Sequence, residues 1–499
     1  MTELTTVSSA YSLAQFLSRG SVSGPAPGLP NAAATAANLA DPRTGKLSFV
    51  LANSPNGNAT ETLPIFNTVA NVLARCTRGT RADCNRVFAA ANPPGRARPG
   101  DTLAAAHNMA RRPIHNLRRL FQLQRPVFRP RLRSAPGAWV LALLYTRGGF
   151  DAPGRMAFDS RGRVWSNNNF EPPGTSPGRG LTVLSPTGQP ILGSPLRGGG
   201  LNASGFGVAI DRRDRVWVAN FGGNNVSLFS PQGRALSGPR GFRAGGLDEP
   251  MGLAIDRFDN VWIPNQGTTH VTLYPRGSRR NARQISGGGI GGSFAIAIDS
   301  QRNAWVTNGA ESTDPARASS VTKIRADGTV DPISPITGGG ILGPQGIAVD
   351  TADNKWVANL DSSSVTVIGP HGGISPLSPI RTGSIRGGWG IAVDGSDNVW
   401  VASLLNPRLT QLCGRRTAAC PPGTATGEPI SPPVRGFTSR GMQHATAVQI
   451  DQSGNVWMAN NWSTSSPIVR FVGGNGLLEF IGLATPVVTP LIGLPRKPS

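Results

Sequence analysis

Seven times along this 499-residue chain an aspartate is followed six residues later by a tryptophan. The pairs are Asp159 with Trp165, Asp211 with Trp217, Asp256 with Trp262, Asp299 with Trp305, Asp350 with Trp356, Asp394 with Trp400, and Asp451 with Trp457. Three residues beyond the tryptophan stands an asparagine in six copies (Asn168, Asn220, Asn265, Asn308, Asn359 and Asn460) and Ser403 in the other. Successive tryptophans lie 43 to 57 residues apart. A recurring period of this size constrains a fold more than any single segment, because each copy must be one unit of supersecondary structure.

One copy reads GVAIDRRDRVWVAN, residues 207–220. GVAI is a short apolar strand, and DRRDR is a polar turn whose aspartate can bond its own backbone two residues on. VWVAN, β-branched and aromatic, is the returning strand. A third strand follows, as in NVSLFSP, HVTLYPR, SVTKIRA and SVTVIGP, and a fourth, weaker segment leads through GGGL-like glycines into the next copy. Four strands cannot bury both their faces alone, so neighbouring copies must stack. Four-stranded units of about 45 residues, repeated four to eight times, predict a β-propeller. The expected fold is mainly β: a seven-bladed propeller of four-stranded blades over 136–495, preceded by a small, basic, α-helical region over 1–135.

The phrase GIAVD-x-x-D-N-x-W-V-A-N, followed by S-V-T/S-x-x-x-P-x-G, resembles the NHL-type propeller repeat. It is also similar to blades of the wider superfamily that includes streptogramin lyases and gluconolactonase-like hydrolases. The resemblance covers residues 137 to 490. The stretch from Ala37 to Cys76 is similar to the helical leader region of exported bacterial NHL-repeat proteins. For the lyases and lactonases, the resemblance implies chemistry in the central channel with a divalent metal, histidines and carboxylates.

Residues present in every copy are expected to build the copy: Asp caps the hairpin, Trp fills the space between blades and Asn closes the next turn. The DTADNK and DGSDNV turns resemble part of an EF-hand loop. They lack its sixth-position glycine and closing glutamate, so no metal is assigned to them. Function is then expected where the copies differ. Just before the GIAVD core the copies read Gly154, Phe206, Met251, Phe294, Gln345, Trp389 and Thr446, an apolar collar at the channel mouth. Phe206, Met251, Phe294, Gln345 and Trp389 are candidate ligand-binding residues; the competing role is a plug that closes the channel. His444, three residues before the seventh core, is the candidate completing this set and the sole candidate catalytic histidine. No paired acid and base is visible around it, the glutamate of the lyase WFTE motif is replaced by Asn, and no G-x-S-x-G, phosphate loop or H-E-x-x-H occurs. The expected activity is therefore non-catalytic binding of a protein or small ligand through rim loops and channel mouth, without a cofactor. The alternative is a metal-dependent lyase or lactonase working in the channel, the one case that calls for a divalent metal.

The formal net charge of +22 raises nucleic acid as a partner. Only four of the 49 basic residues are lysines, no block of like charge occurs, and residues 1–135 alone carry 17 basic against 5 acidic side chains. Nucleic acid is not expected as a partner, and the chain is expected to be monomeric. The cysteines form two close pairs, Cys76 with Cys84 and Cys413 with Cys420, each across a polar loop that suits a local disulfide and an oxidising compartment. Secretion, or placement in the periplasm or cell envelope, is expected although MTELTTVSSAYSLAQFLSRG does not read as a signal peptide. No stretch reads as a transmembrane helix. The strand in GAWVLALLYTRGG (137–149) is expected to complete a blade with the C-terminal strands and so close the ring. The insertions 307–320 and 405–440 are expected to extend from one rim, the second stiffened by its disulfide as a projecting loop. In the first 135 residues, helical spacing marks TTVSSAYSLAQFLS, PIFNTVANVLARC, CNRVFAAA, DTLAAAHNMARR and IHNLRRLFQL, with Asp101 or Thr102 as N-cap.

Overall fold

The computed structural model describes residues 2–18, 20–171, 176–309, 318–465 and 472–499. Its greater part is a propeller-like β fold: among the described residues there are seven antiparallel sheets of three or four strands, one for each Asp–Trp pair. The first strands are Pro153–Phe158, Gly207–Ile210, Ala254–Ile255, Ile296–Ile298, Pro344–Val349, Gly388–Val393 and His444–Ile450. Each pairs only with the second strand of its own sheet and lies beside the first strand of the next sheet; the seventh lies beside the first. These strands therefore line a central channel. The third sheet has the shortest first strand because Pro264 stands where Ala219 pairs with Gly207 in the second, and proline has no N–H for that position.

The recurring aspartate is a hydrogen-bond hub. Asp350 Oδ1 accepts from the N–H groups of Ala352 and Asn354, both at 2.9 Å, and Oδ2 accepts from the Trp356 indole at 3.0 Å. The indole bond recurs in six sheets at 2.9 to 3.1 Å. In the third sheet the Trp262 indole is unbonded, while Asp256 Oδ2 still accepts from Asn260 Nδ2 at 2.7 Å, as Asp350 Oδ2 does from Asn354 Nδ2 at 2.9 Å. One carboxylate thus shapes the turn and orients the ring that packs against the next sheet, as Trp356 packs with Ile391 and Val393. The second aspartate of the turn has left-handed φ at Asp214, Asp353 and Asp397. Its carboxylate takes the N–H and hydroxyl of Ser160, Ser300 and Thr351 from the preceding turn, so successive turns are clamped together. The recurring asparagine starts a relay. Asn359 donates to Thr366 Oγ1 at 3.0 Å and Thr366 to the Gly339 carbonyl at 2.7 Å, an arrangement repeated by Asn168–Thr182, Asn265–Thr272 and Asn308–Thr322.

The expectation of four strands throughout is corrected in five sheets. There the fourth segment touches the third strand only at two isolated bridges, such as Val365 with Ile380 and Ile368 with Ile374. More residues separate the two bridges on the fourth segment than on the third strand, so the excess loops outward. A serine hydroxyl replaces the missing backbone acceptor, taking the N–H of Val183 (Ser194), Leu228 (Ser237), Lys323 (Ser334), Val367 (Ser378) and Gln411 (Ser431) at 2.7 to 3.0 Å.

The ring closes through chain that precedes the repeats. Ala142–Tyr145 pairs with Gly473–Phe480 as the outer strand of the seventh sheet, Leu143 opposite Glu479. Its other edge is occupied by side chains of the N-terminal region. Asn56 Oδ1 accepts from Leu144 N at 2.8 Å and Asn56 Nδ2 donates to the Leu144 carbonyl at 3.2 Å; Thr62 bonds the backbone of Ala142 in the same two-way manner. A sheet edge that would present free N–H and C=O groups is thereby covered. Helices Glu3–Ser12, Thr62–Thr77, Arg81–Ala90, Thr102–Arg111 and Leu117–Gln122 fall on the helically spaced stretches, and Asp101 caps the fourth of them by accepting from Ala104 N at 2.7 Å. A further helix, Gly28–Ala36, occupies what reads as an irregular Gly/Pro/Ala stretch; its alanines are strong helix formers. One continuous core joins Val7, Phe66, Val72 and Met109 of this region to Trp139, Tyr145 and Trp457.

Both cysteine pairs form disulfides, Cys76–Cys84 and Cys413–Cys420. The second does not stiffen a projecting loop: Cys413 and Cys420 are 0 and 5% exposed, because the chain after strand Arg408–Leu412 folds back and Cys413 N donates to the Glu428 carbonyl at 2.8 Å. Nor do the two insertions leave one rim. The 307–320 insertion follows a second strand and leaves at the channel-mouth end, with 310–317 outside the described residues. Most of 405–440 follows a third strand and leaves at the other end. Among the described residues no helix is long and apolar enough to cross a membrane.

Candidate functional site

The collar residues sit where the first strands enter the ring. Three of them meet: ring centroids are 5.2 Å apart for Phe206 and Phe294, 5.5 Å for Phe294 and Trp389, and 6.0 Å for Phe206 and Trp389. Trp462, at the end of the second strand of the seventh sheet, joins them at 5.6 Å from Trp389 and 6.1 Å from Phe206. Met251 belongs to the same apolar cluster. Phe294, Trp389 and Met251 are buried, and Phe206 is half-buried. The rings pack against one another at the mouth and present apolar surface there.

The other side of the mouth is polar. Thr446 Oγ1 donates to the Gly154 carbonyl at 2.9 Å and accepts from Asn461 Nδ2 at 2.9 Å; Asn461 Oδ1 accepts from Asn169 at 2.9 Å. This chain of bonds ties the first sheet to the seventh. His444 lies beside it but turns its Nδ1 to the Leu404 carbonyl, 2.6 Å away. Among the described residues no group of three or more His, Cys, Asp or Glu side chains is arranged to hold a metal ion. No carboxylate among the described residues is hydrogen-bonded to His444, so their geometry offers no acid–base pair there.

Beneath the aromatic cluster the channel widens into a chamber of about 100 Å³ lined by Met156, Val208, Leu253, Ile296, Ile347 and Ile391. Two polar side chains share it, Arg155 and Gln449. Both break the repeat. Arg155 stands where the other copies carry Gly207, Gly252, Ala295, Gly346, Gly390 and Ala447; Gln449 stands where they carry Ala157, Ala209, Ala254, Ala297, Ala348 and Ala392. Adjacent first strands approach closely at this position: a Cβ on Gly346 would lie 2.3 Å from the Trp389 carbonyl oxygen. In the first sheet a register shift between Pro153 and Met156 gives that close approach to Gly154, whose Cβ would lie 1.5 Å from the Gly205 carbonyl oxygen. Position 155 is thereby free to carry a long side chain.

Arg155 reaches across from the first sheet to the fifth, where its Nη2 donates to the Gln345 carbonyl at 3.3 Å. Among the described residues no carboxylate faces this half-buried guanidinium, and desolvation brings it down to about 10. The Gln345 side-chain amide is itself fully buried, with neither its oxygen nor its nitrogen hydrogen-bonded. Sequence reasoning picked out Gln345 and missed Arg155 and Gln449, although their departure from the Gly/Ala register was present in the aligned copies. Below this chamber a second cavity of about 170 Å³, which shares Met156, Ile347 and Gln449 with it as lining, is covered by the C-terminal segment through Val487, Thr489 and Leu491. That segment is held by Val487 N to the Asp451 carbonyl at 3.2 Å and by Thr489 Oγ1 to the Asp159 carbonyl at 2.7 Å.

Among solved structures, the chain is similar to a selenomethionine-substituted virginiamycin B lyase from Staphylococcus aureus, at 13% identity and a TM-score of 0.49, over 68% of this chain and 98% of that one. It is similar to a streptogramin B lyase at 12% identity and a TM-score of 0.48, over 68% and 96%. Hydrazine synthase of Kuenenia stuttgartiensis matches at 12% identity and a TM-score of 0.46, over 62% and 93%. No family model matches the chain, and no curated protein sequence matches it.

Proposed function

We propose that this chain is a seven-bladed, NHL-type β-propeller over 136–495, preceded by a helical region over 1–135, that acts outside the cytoplasm as a non-catalytic binding scaffold. The blade count rests on the seven sheets whose first strands neighbour one another in a circle. Export rests on the two disulfides, which persist in oxidising compartments. The observation that carries the function is where the copies differ. Asp and Trp in each copy, and Asn in six of them, are spent on turns and packing, whereas the channel mouth gathers unlike residues: Phe206, Met251, Phe294, Gln345 and Trp389, with His444 beside them. Around that mouth the loops present Leu342 and Leu405, 51 and 56% exposed, as apolar contacts for a protein or small ligand. The protein works as a monomer and does not bind nucleic acid.

The test is a metal analysis of the purified protein with a thermal titration of divalent cations. The scaffold reading expects no stoichiometric metal and no cation-dependent shift. A bound metal at one per chain, weakened by His444→Ala, would overturn it in favour of metal-assisted lyase or hydrolase chemistry in the channel.

A further inference from the structure

The interior chamber lies below the mouth surface and stands on separate observations. A guanidinium half-withdrawn from water without an anion gives up hydration, which its surroundings ordinarily make good with a carboxylate or a full set of acceptors. Arg155 has one acceptor, the Gln345 carbonyl, and the remaining donors of its planar fork face a chamber whose other side chains, Gln449 excepted, are apolar. Both polar residues occupy positions where the other copies have only glycine or alanine, and they stand on the neighbouring first strands of the first and seventh sheets. Nothing in the blade-building scheme calls for either of them.

We propose that the channel binds a short aliphatic monocarboxylate, its carboxylate on Arg155 and Gln449 and its chain in the apolar cavity beneath. The guanidinium fork matches a carboxylate through two parallel N–H···O bonds, and the Gln449 amide can donate a third. The side chains of Met156, Val208, Leu253, Ile296, Ile347 and Ile391 carry no charge to balance a second one on the ligand, and they give a hydrocarbon tail apolar contacts. Ile210, Ile255, Val393 and Leu491 continue the apolar lining into the lower cavity. The aromatic cluster closes the upper side, so the ligand comes in by displacement of the C-terminal segment at Val487–Leu491, and binding is measured after long equilibration.

The experiment is thermal unfolding of the full-length protein with sodium hexanoate, against hexanol, hexylammonium chloride and sodium chloride at matched ionic strength. A ligand that binds only the folded chain raises the melting temperature in a saturable way. Hexanoate is expected to do so, and the alcohol, the amine and chloride are not. Arg155→Met, which exchanges the guanidinium for an apolar chain of similar length, is expected to stay folded and to lose the hexanoate response. Gln449→Leu is expected to weaken the apparent Kd about tenfold, as for one lost hydrogen bond. Should Arg155→Met fail to fold, direct observation of carboxyl-labelled hexanoate on the wild-type protein by NMR decides the matter: a bound, slowly exchanging carboxyl signal supports the site. No saturable shift and no bound signal, an equal shift with hexanol, or an undiminished shift in a folded Arg155→Met protein would overturn the proposal; in the first case water completes the Arg155 shell.

Discussion

The sheet region and the N-terminal helical region reach stability by opposite routes. In the sheets one solution is used over and over: an aspartate that shapes a turn and holds an indole, and an asparagine that passes a hydrogen bond through a threonine to a glycine carbonyl. In the helical region almost nothing recurs. Its contacts are single: Tyr11 Oη to the Trp139 carbonyl at 3.1 Å, Asn38 Nδ2 to Tyr145 Oη at 3.2 Å, and Asn56 and Thr62 to the edge of Ala142–Tyr145. These contacts converge on the seventh sheet, the one place where the ring is joined by chain from outside the repeats. A repeating array solves its interior by repetition, but it still has ends, and the ends need unique chemistry. The helical region supplies it.

The sharpest way to break this comparison is to remove the joining strand. Deleting residues 137–149 is expected to abolish cooperative unfolding of the whole chain, read by near-UV circular dichroism and urea titration, and not to trim a tail. Next in size are the hubs. Asp350→Ala strands two backbone N–H groups and the buried Trp356 indole, and is expected to cost about 3 kcal/mol in urea unfolding. Asp256→Ala, whose tryptophan makes no such bond, is expected to cost measurably less. At the edge cover, Asn56→Ala leaves the N–H and carbonyl of Leu144 without partners and is expected to cost about 2 kcal/mol by the same measurement.

The smallest effect is a pH dependence that separates the two regions. Burial, reinforced by the nearby Arg96 and Arg111 charges, pushes His107 of the helical region down to about 4 from its ordinary 6.5. The unfolded chain then binds the extra proton, so the His107 contribution is complete above pH 6.5 and is lost as pH falls toward 4. Glu479, in the seventh sheet, carries the opposite sign. Burial and the Asp451 charge hold its carboxyl well above the ordinary range while Tyr145 donates to it at 2.6 Å. Its folded form keeps the proton, so its contribution is present at acid pH and fades as pH rises through the folded value. His107→Asn is expected to flatten the loss of stability between pH 6.5 and 4, and Glu479→Gln to leave that window steep while removing the decline at higher pH; denaturant midpoints across pH read both.

Much of the architecture was legible because the same physical problem is solved seven times, so Asp159, Trp165 and Asn168 and their counterparts announce themselves by register. The joining strand was legible too, since VLALLY is apolar and β-prone and an open array needs its edge covered. The serine substitutes for the fourth strand were not. Ser194, Ser334, Ser378 and Ser431 sit in Ser-Pro dipeptides and Ser237 in Ser-Gly-Pro, all of which read as ordinary turns, and only the paired backbone shows that a hydroxyl has replaced a carbonyl. The helix Gly28–Ala36 was hidden by its flanking prolines and glycines. At the candidate site, the aromatic residues were visible as departures in the collar, but Arg155 and Gln449 lie inside the GIAVD core, where a search for sameness overlooks the copies that break it. Trp462 lies outside the compared positions altogether, so only the folded ring brings it to Trp389.

The ring is joined through Ala142–Tyr145, and hydrogen exchange of those amides followed by mass spectrometry tests that joining most directly. If the joining strand is integral, peptides covering 142–145 and 473–480 exchange together, at the rate of global unfolding and with the same denaturant dependence. Early exchange of 142–145 while 473–480 stays protected would contradict the account, because the ring would then hold together without the strand that is said to close it.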